Sequence, residues 1–192
     1  AERRETLARD VVLVAFSGEE SGVIGSSVLV RAHPELLVPG SVMLNMDMVG
    51  RLRENRLSVL GVESAEGWAP IVDEACAAAR VGCAASGDGY GPSDHMPFYT
   101  AGLPVLHFFT GAHADYHKPS DSADKLNAAG MARVAEVVLG VVDRVPAATL
   151  RYRKVPMPVR GDSRSWNASL GTVPDYGGPP RGTRGVLLAD VR

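Results

Sequence analysis

Through the first three-quarters of the chain, unbroken apolar runs alternate with stretches in which apolar positions recur every three or four residues. Asp10–Ser17 carries six apolar residues in a row, VVLVAF, between polar flanks. Such a run predicts a parallel strand buried on both faces. Ser21–Ala32 predicts a helix, with Ser21 as candidate cap and Val23, Ile24, Ser27 and Val28 on one face. It ends at His33, because the residue before a proline disfavours helical backbone. Ser41–Met48 (SVMLNMDM) and Arg56–Val62 predict two further strands. Glu66–Arg80 predicts an amphipathic helix, with Trp68, Ile71, Val72, Ala75, Cys76 and Ala79 on its apolar side. Pro104–Phe109 (PVLHFF) reads as another strand, and Asn127–Val145 as a helix with Val134, Val137, Val138, Val141 and Val145 on one face. A glycine-rich loop, Ser86–Ser93, and a polar loop with two histidines, Gly111–Ser122, lie between these elements.

Strands alternating with helices predict an α/β fold, a three-layer sandwich on a mostly parallel sheet. Ligands bind beyond the carboxyl ends of such strands. Glu19, Glu20 and Asp47 all fall at predicted carboxyl ends, and the loop after PVLHFF leaves the sheet at the same edge. After Pro146 the texture changes, and proline and glycine cluster through 151–192. This predicts two units, 1–147 and 148–192.

Composition narrows the picture. A chain of 192 residues, 45% hydrophobic, suits one globular domain with a small appendage. A net charge of −2 without a basic stripe argues against a nucleic-acid partner. No apolar run reaches the roughly 18 residues that cross a bilayer. Two cysteines, Cys76 and Cys83, are too few for a disulfide framework, and Cys76 within an apolar helical pattern predicts a packed thiol. The opening AERRETLARD has neither an initiator methionine nor a signal-peptide pattern, and the closing GVLLADVR reads as a strand with nothing after it. The expectation is a chain cut at both ends.

The candidate chemistry rests on Glu19, Glu20, Asp47 and His117. Zinc takes carboxylate oxygen and imidazole nitrogen as ligands, and a catalytic zinc keeps one position open. Adjacent side chains point opposite ways in a regular strand, but at a strand-to-helix bend two glutamates can divide roles, one on the metal and one on the water. A plainer reading of GEES is charge complement at a helix start. Asp47, between methionines in an apolar strand, is less plain, because a carboxylate is costly to bury unpaired. His33, before a proline, carries no functional signal. The RGD at 160–162 and the NAS sequon at 167–169 are short enough to arise by chance.

FSGEESGVIGS, LNMDMVGR, SDHMPF and DYHKPSDSADKLN, in that order, closely resemble metallopeptidase family 28. That family contains the two-zinc bacterial aminopeptidases, glutamate carboxypeptidase, glutaminyl cyclase and the transferrin receptor. The resemblance covers roughly residues 8–145. It implies the zinc exopeptidase form of the phosphorylase/hydrolase-like fold, two zinc ions in the intact domain and a peptide substrate. It implies Glu19 as general base, Glu20 and His117 as ligands of one zinc, Asp47 as a ligand of the other, and Tyr116 as a donor to the tetrahedral oxyanion. Asp94 and His95 fall at the rim, shaping the loop. His107 and His113 are left without a role.

The family also uses a histidine and a bridging aspartate from upstream of its GEE motif. Only 18 residues precede Glu19 here, with no histidine and only Asp10 as an aspartate. The chain therefore reads as a peptidase fragment, incomplete at the N-terminus. The tail from Tyr152 resembles the opening of a bacterial PDZ domain, which binds peptides by adding a strand at a sheet edge. The leading expectation is an aminopeptidase, outside the cytoplasm. The rivals are a glutaminyl cyclase-like acyltransferase and a non-catalytic binding domain. Ser93 and Tyr116 stand where cyclases tend to have an acidic residue and a tryptophan, which counts against the first rival.

Overall fold

The sheet is built on the chain's later apolar run. The structure, a computed structural model, describes residues 7, 10–145, 150–156, 172–174, 185 and 188–191. In chain order the elements are helix α1 (Ile24–Ala32), strands β1 (Met43–Met46), β2 (Arg56–Leu60) and β3 (Ala65–Glu66), and helix α2 (Trp68–Ala79). Next come β4 (Gly82–Ser86), α3 (His95–Thr100), β5 (Val105–Phe109) and α4 (Ala128–Arg144), then the short strands β6 (Arg151–Tyr152), β7 (Thr172–Pro174) and β8 (Leu188–Val191). The main sheet has the order β1-β5-β2-β4. β1 and β5 pair in parallel, as do β2 and β4, while β5 and β2 are antiparallel. β5 is flanked on both edges and buried along its whole length, the environment that unbroken apolar runs suit.

Helices cover both faces. On one side α2 buries Trp68, Ile71, Val72, Ala75 and Cys76, and α4 buries Val134, Val137 and Val141. These close over Leu57, Val59, Leu106 and Phe108 of the sheet. A Cβ at Gly140 would stand 3.2 Å from that of Ala75, so the glycine lets α4 approach α2 closely. Asn127 caps α4 by accepting from the Gly130 amide at 2.9 Å. On the other side Phe98, Tyr99, Leu103 and Val105 pack with Phe16, Leu29 and Met43. The three-layer α/β expectation holds.

Three expectations fail. Residues 10–16 form no strand, and all but the half-buried Phe16 are exposed, Leu13 at 88% and Val12 at 63%. A strand needs a paired edge. This run forms no ladder with β1; Val12, Val14 and Phe16 line a cleft of about 760 Å³ together with Met43–Asp47. Ser21 does not cap α1, which starts at Ile24 without any side-chain cap. Backbone carbonyls serve instead: Ile24 N donates to Gly18 O at 3.1 Å and Gly25 N to Ser17 O at 3.0 Å. The third failure is the packed thiol, since Cys76 is bonded to Cys83. Cys76 sits near the end of α2 and Cys83 at the start of β4, and the reversal between them sets their Cα atoms 6.1 Å apart, within disulfide reach.

The tail continues onto the first unit. β6 pairs with β3. Tyr152 Oη donates to Tyr99 O at 2.9 Å, and Tyr99 Oη donates to Arg153 O at 3.0 Å while accepting from Val155 N at 2.8 Å. β7 and β8 form an antiparallel pair. Most of the proposed PDZ segment lies outside the described residues. Among the described residues no helix is long and apolar enough to cross a membrane.

Candidate active site

Period-two alternation in β1 decides which side chains reach the site. Met43 joins the cluster under α3 and Leu44 the one under α2 and α4, so Asn45 and Asp47 follow Met43. In register, Asn45 lies opposite His107 of β5. The turn at 18–23 adds the glutamates. Glu19 O accepts from Gly22 N and Val23 N, both at 2.9 Å, which holds the turn. Both glutamates precede the first turn of α1, which contains no acidic residue. The plainer reading, charge complement at the helix start, therefore does not hold.

Glu19, Glu20, Asp47, Ser93 and Asp94 line one end of the cleft. Ser93 Oγ donates to Asp47 Oδ2 at 3.1 Å and accepts from Asn45 Nδ2 at 2.8 Å. The Glu19 carboxyl is pushed above its ordinary range, first by burial and then by the negative charges of Asp47, Glu20 and Asp94, with a hydrogen bond from Ser93 opposing. Like charges that face one cleft raise one another's proton affinity, and a cation between them would reverse this.

His117 arrives from the loop after β5, 97 positions from Glu20, and its Nε2 stands 2.9 Å from Glu20 Oε1. Tyr116 stacks on its ring at 3.8 Å. The backbone of His117 lies in the left-handed region, φ 54°, which is strained for a non-glycine residue.

Behind the site is a buried network that the sequence did not assign. His107 Nδ1 lies 3.0 Å from Asn45 Nδ2 and 3.1 Å from His95 Nδ1. The amide can only donate, so His107 Nδ1 accepts and is unprotonated. Burial, then the neighbouring His107, lowers the His95 pKa to about 3. Burial lowers that of His107 to about 4, with Asp47 opposing. His95 is buried rather than at the rim, and its Nε2 has no hydrogen-bond partner among the described residues. The available signal was one histidine inside the fully apolar run PVLHFF, which has to be satisfied where it is buried.

The donors are of zinc-ligand type, but their number falls short. Glu20 and His117 make a pair, and Asp47 is held by Ser93. Among the described residues no three His, Cys, Asp or Glu side chains stand close enough to hold a metal ion.

Carboxylates and an imidazole beyond the strand ends of an α/β sandwich are donor types that a metal-dependent hydrolase uses. The sequence pattern of "Peptidase family M28" matches residues 1–142. Aminopeptidase YwaD of Bacillus subtilis is 31% identical over 144 residues, 70% of this chain and 31% of that protein. A probable leucine aminopeptidase of Arthroderma otae is 27% identical over 140 residues, 70% of this chain and 39% of that one. Among solved structures, BSAP, a zinc aminopeptidase from Bacillus subtilis, superposes with a TM-score of 0.56 at 28% identity, over 67% of this chain and 34% of that one. The LapA aminopeptidase of Legionella pneumophila, at 20% identity, shares the fold with a TM-score of 0.60 over 70% of this chain and 38% of that one. The chain belongs to peptidase family M28. It spans about a third of the length of these relatives.

Proposed function

We propose that the protein acts as a zinc-dependent aminopeptidase, releasing N-terminal residues from peptides. The observation that carries this is the meeting of Glu20 and His117 at 2.9 Å beside the clustered Glu19 and Asp47. The names of the relatives, aminopeptidases and a zinc aminopeptidase, support it. Glu20 and His117 hold one ion of a zinc pair and Asp47 the other. Further donors have to come from outside the described residues. Zinc, when bound, polarises the scissile carbonyl and lowers the pKa of water to about 7.

Glu19 is the general base. Burial and neighbouring negative charge raise its proton affinity, so its carboxylate can take a proton from the attacking water and return it to the departing amine. Tyr116 donates its phenolic hydrogen to the oxyanion. The Cys76–Cys83 bond favours an oxidising, extracytoplasmic compartment. Residues 148–192 are assigned to a linker and the opening of a PDZ domain, supported by the antiparallel pairing of β7 and β8.

A second reading, a fold without catalysis, is favoured for this chain by itself because no three-donor cluster is present among its described residues. Zinc per chain after dialysis against zinc-free buffer separates the two. A value near two, with turnover of aminoacyl substrates, supports the peptidase in this molecule. A value near zero restricts the proposal to a longer protein, and a zinc-free longer protein would overturn it.

A further inference from the structure

Below the carboxylate cluster, a second set of charges sits under the loop that follows β5. Arg51 leaves β1 four positions after Asp47, and its side chain is only 15% exposed. Its guanidinium reaches two carboxylates of the loop. Nη2 donates to Asp121 Oδ1, and Nη1 stands 3.5 Å from Asp115 Oδ2. These two aspartates flank Tyr116 and His117 on either side in the sequence.

Other ties surround them. Asp115 Oδ1 accepts from Lys125 Nζ at 2.6 Å and from Ser120 Oγ at 2.7 Å. Arg53 Nη2 donates to Ala112 O at 2.6 Å, and Arg51 N donates to Thr110 Oγ1 at 3.3 Å. The strained backbone of His117 lies inside this ring of ties. A left-handed non-glycine residue persists only where its surroundings over-determine it. The loop also ties itself across that residue, through Ser120–Asp115 and through His113 Nε2 at 3.8 Å from Asp121 Oδ2, but Arg51 reaches it both before and after His117 from outside, on the same segment that carries Asp47.

We propose that Arg51 is the positioning residue of His117. By holding Asp115 and Asp121 together, it closes the loop around the strained histidine and keeps the imidazole within reach of Glu20. It also fixes the span between His117 and Asp47, because Arg51 and Asp47 share one stretch of backbone. A lysine cannot replace it, since an ammonium is a point charge without the planar fork that serves two carboxylates at once. The geometric claim is independent of catalysis, and its consequence for metal affinity rests on the reading of His117 as a ligand.

Amide hydrogen exchange of the 192-residue protein, read by mass spectrometry, tests the clamp. The amides to follow are Tyr116, Lys118 and Asp121, which donate to His113 O, Asp115 O and Lys118 O at 3.0, 2.9 and 3.0 Å. Arg51→Ala is expected to speed their exchange at least tenfold, with α2 and β5 unchanged. Arg51→Lys should recover less than half of the lost protection. Unchanged exchange of the loop in Arg51→Ala would overturn the proposal. If that variant loosens the whole protein, Asp121→Asn decides, since its side chain is 41% exposed and its loss leaves the core alone. Loop-confined acceleration supports the clamp, and none overturns it. If the loop loosens in Arg51→Ala while zinc affinity of the longer protein is unchanged, the clamp stands and His117 leaves the ligand set.

Discussion

Glu19 and Glu20 are neighbours in sequence with different surroundings. Glu19 lies against Asp47, Asp94 and the Ser93 hydroxyl, whereas Glu20 reaches across to His117. The two should therefore fail differently. In a zinc-loaded parent enzyme, Glu19→Gln is expected to keep the metal and lose about 10²- to 10⁴-fold in kcat, the usual contribution of a positioned acid–base group. Glu20→Ala should lose the metal first. Elemental analysis alongside kinetics separates the two, and wild-type turnover in Glu19→Gln would reject the base assignment. The buried histidines carry a second expectation. Each titrates near 6.5 when unfolded but only near 3 (His95) or 4 (His107) in the fold. Below pH 6.5 the unfolded chain binds protons that the folded one refuses, so stability falls as pH falls, until the folded pKa values are reached. Between pH 7 and 5 the slope averages about 1 kcal/mol per pH unit for each histidine, approaching about 1.4 further below 6.5. Urea unfolding between pH 7 and 5 should show it, and His107→Gln should flatten it. An unaltered slope in that variant would remove His107 as a cause. Asp47 was legible from sequence, because a carboxylate in an apolar strand needs a reason to be there. Ser93 was not, since a serine in a glycine-rich loop has many ordinary uses and only the fold brings it to Asp47.

Elements with long, one-sided patterns were the legible ones. α2 and α4 fall within a residue or two of their expected ends, because a five-membered valine stripe or a tryptophan-led face admits one periodicity. β5 was clear for the opposite reason, being apolar on both faces. β4, whose sequence is GCAAS, escaped notice because small residues carry almost no periodic signal. The six-residue helix α3 is too short to show one. VVLVAF misled because a strand's pattern states its appetite for burial and not whether an edge is there to receive it. The disulfide also belongs to this scale, since the last turn of α2 and the start of β4 meet only after the chain has reversed. It closes a short loop, which favours the fold by about 2–3 kcal/mol in the chain-entropy account. A Cys76→Ser, Cys83→Ser variant is therefore expected to melt about 5–10 °C lower. Reductant should lower the parent to match, and equal melting with and without reductant would mean that the bond is not formed in solution.

For the molecule as a whole, four short motifs in fixed order were enough to place the chain in its family, while its metal-binding capacity lay beyond them. Motif order reports ancestry, whereas metal binding depends on how many donors converge on one point. The described residues supply the pair Glu20–His117 and, apart from it, Asp47. The boundary expected near residue 147 can be tested at the same scale. Residues 150–156 lie against the first unit through β6 and the paired tyrosines. A version ending at 147 should unfold at lower urea than one ending at 156, and equal midpoints would make that strip dispensable.

The reciprocal bonds of Tyr99 and Tyr152 have a practical corollary for anyone trimming this gene. Each phenol closes its circuit on the other's stretch of backbone, so neither half is finished alone. A shortened version that omits the strip from Arg151 to Pro156 takes both partners, Arg153 O and Val155 N, from the hydroxyl of Tyr99, a residue fully buried in the intact chain. The cut that respects proline and glycine content thus passes through a hinge pin, and the safer place for the stop codon is beyond Pro156.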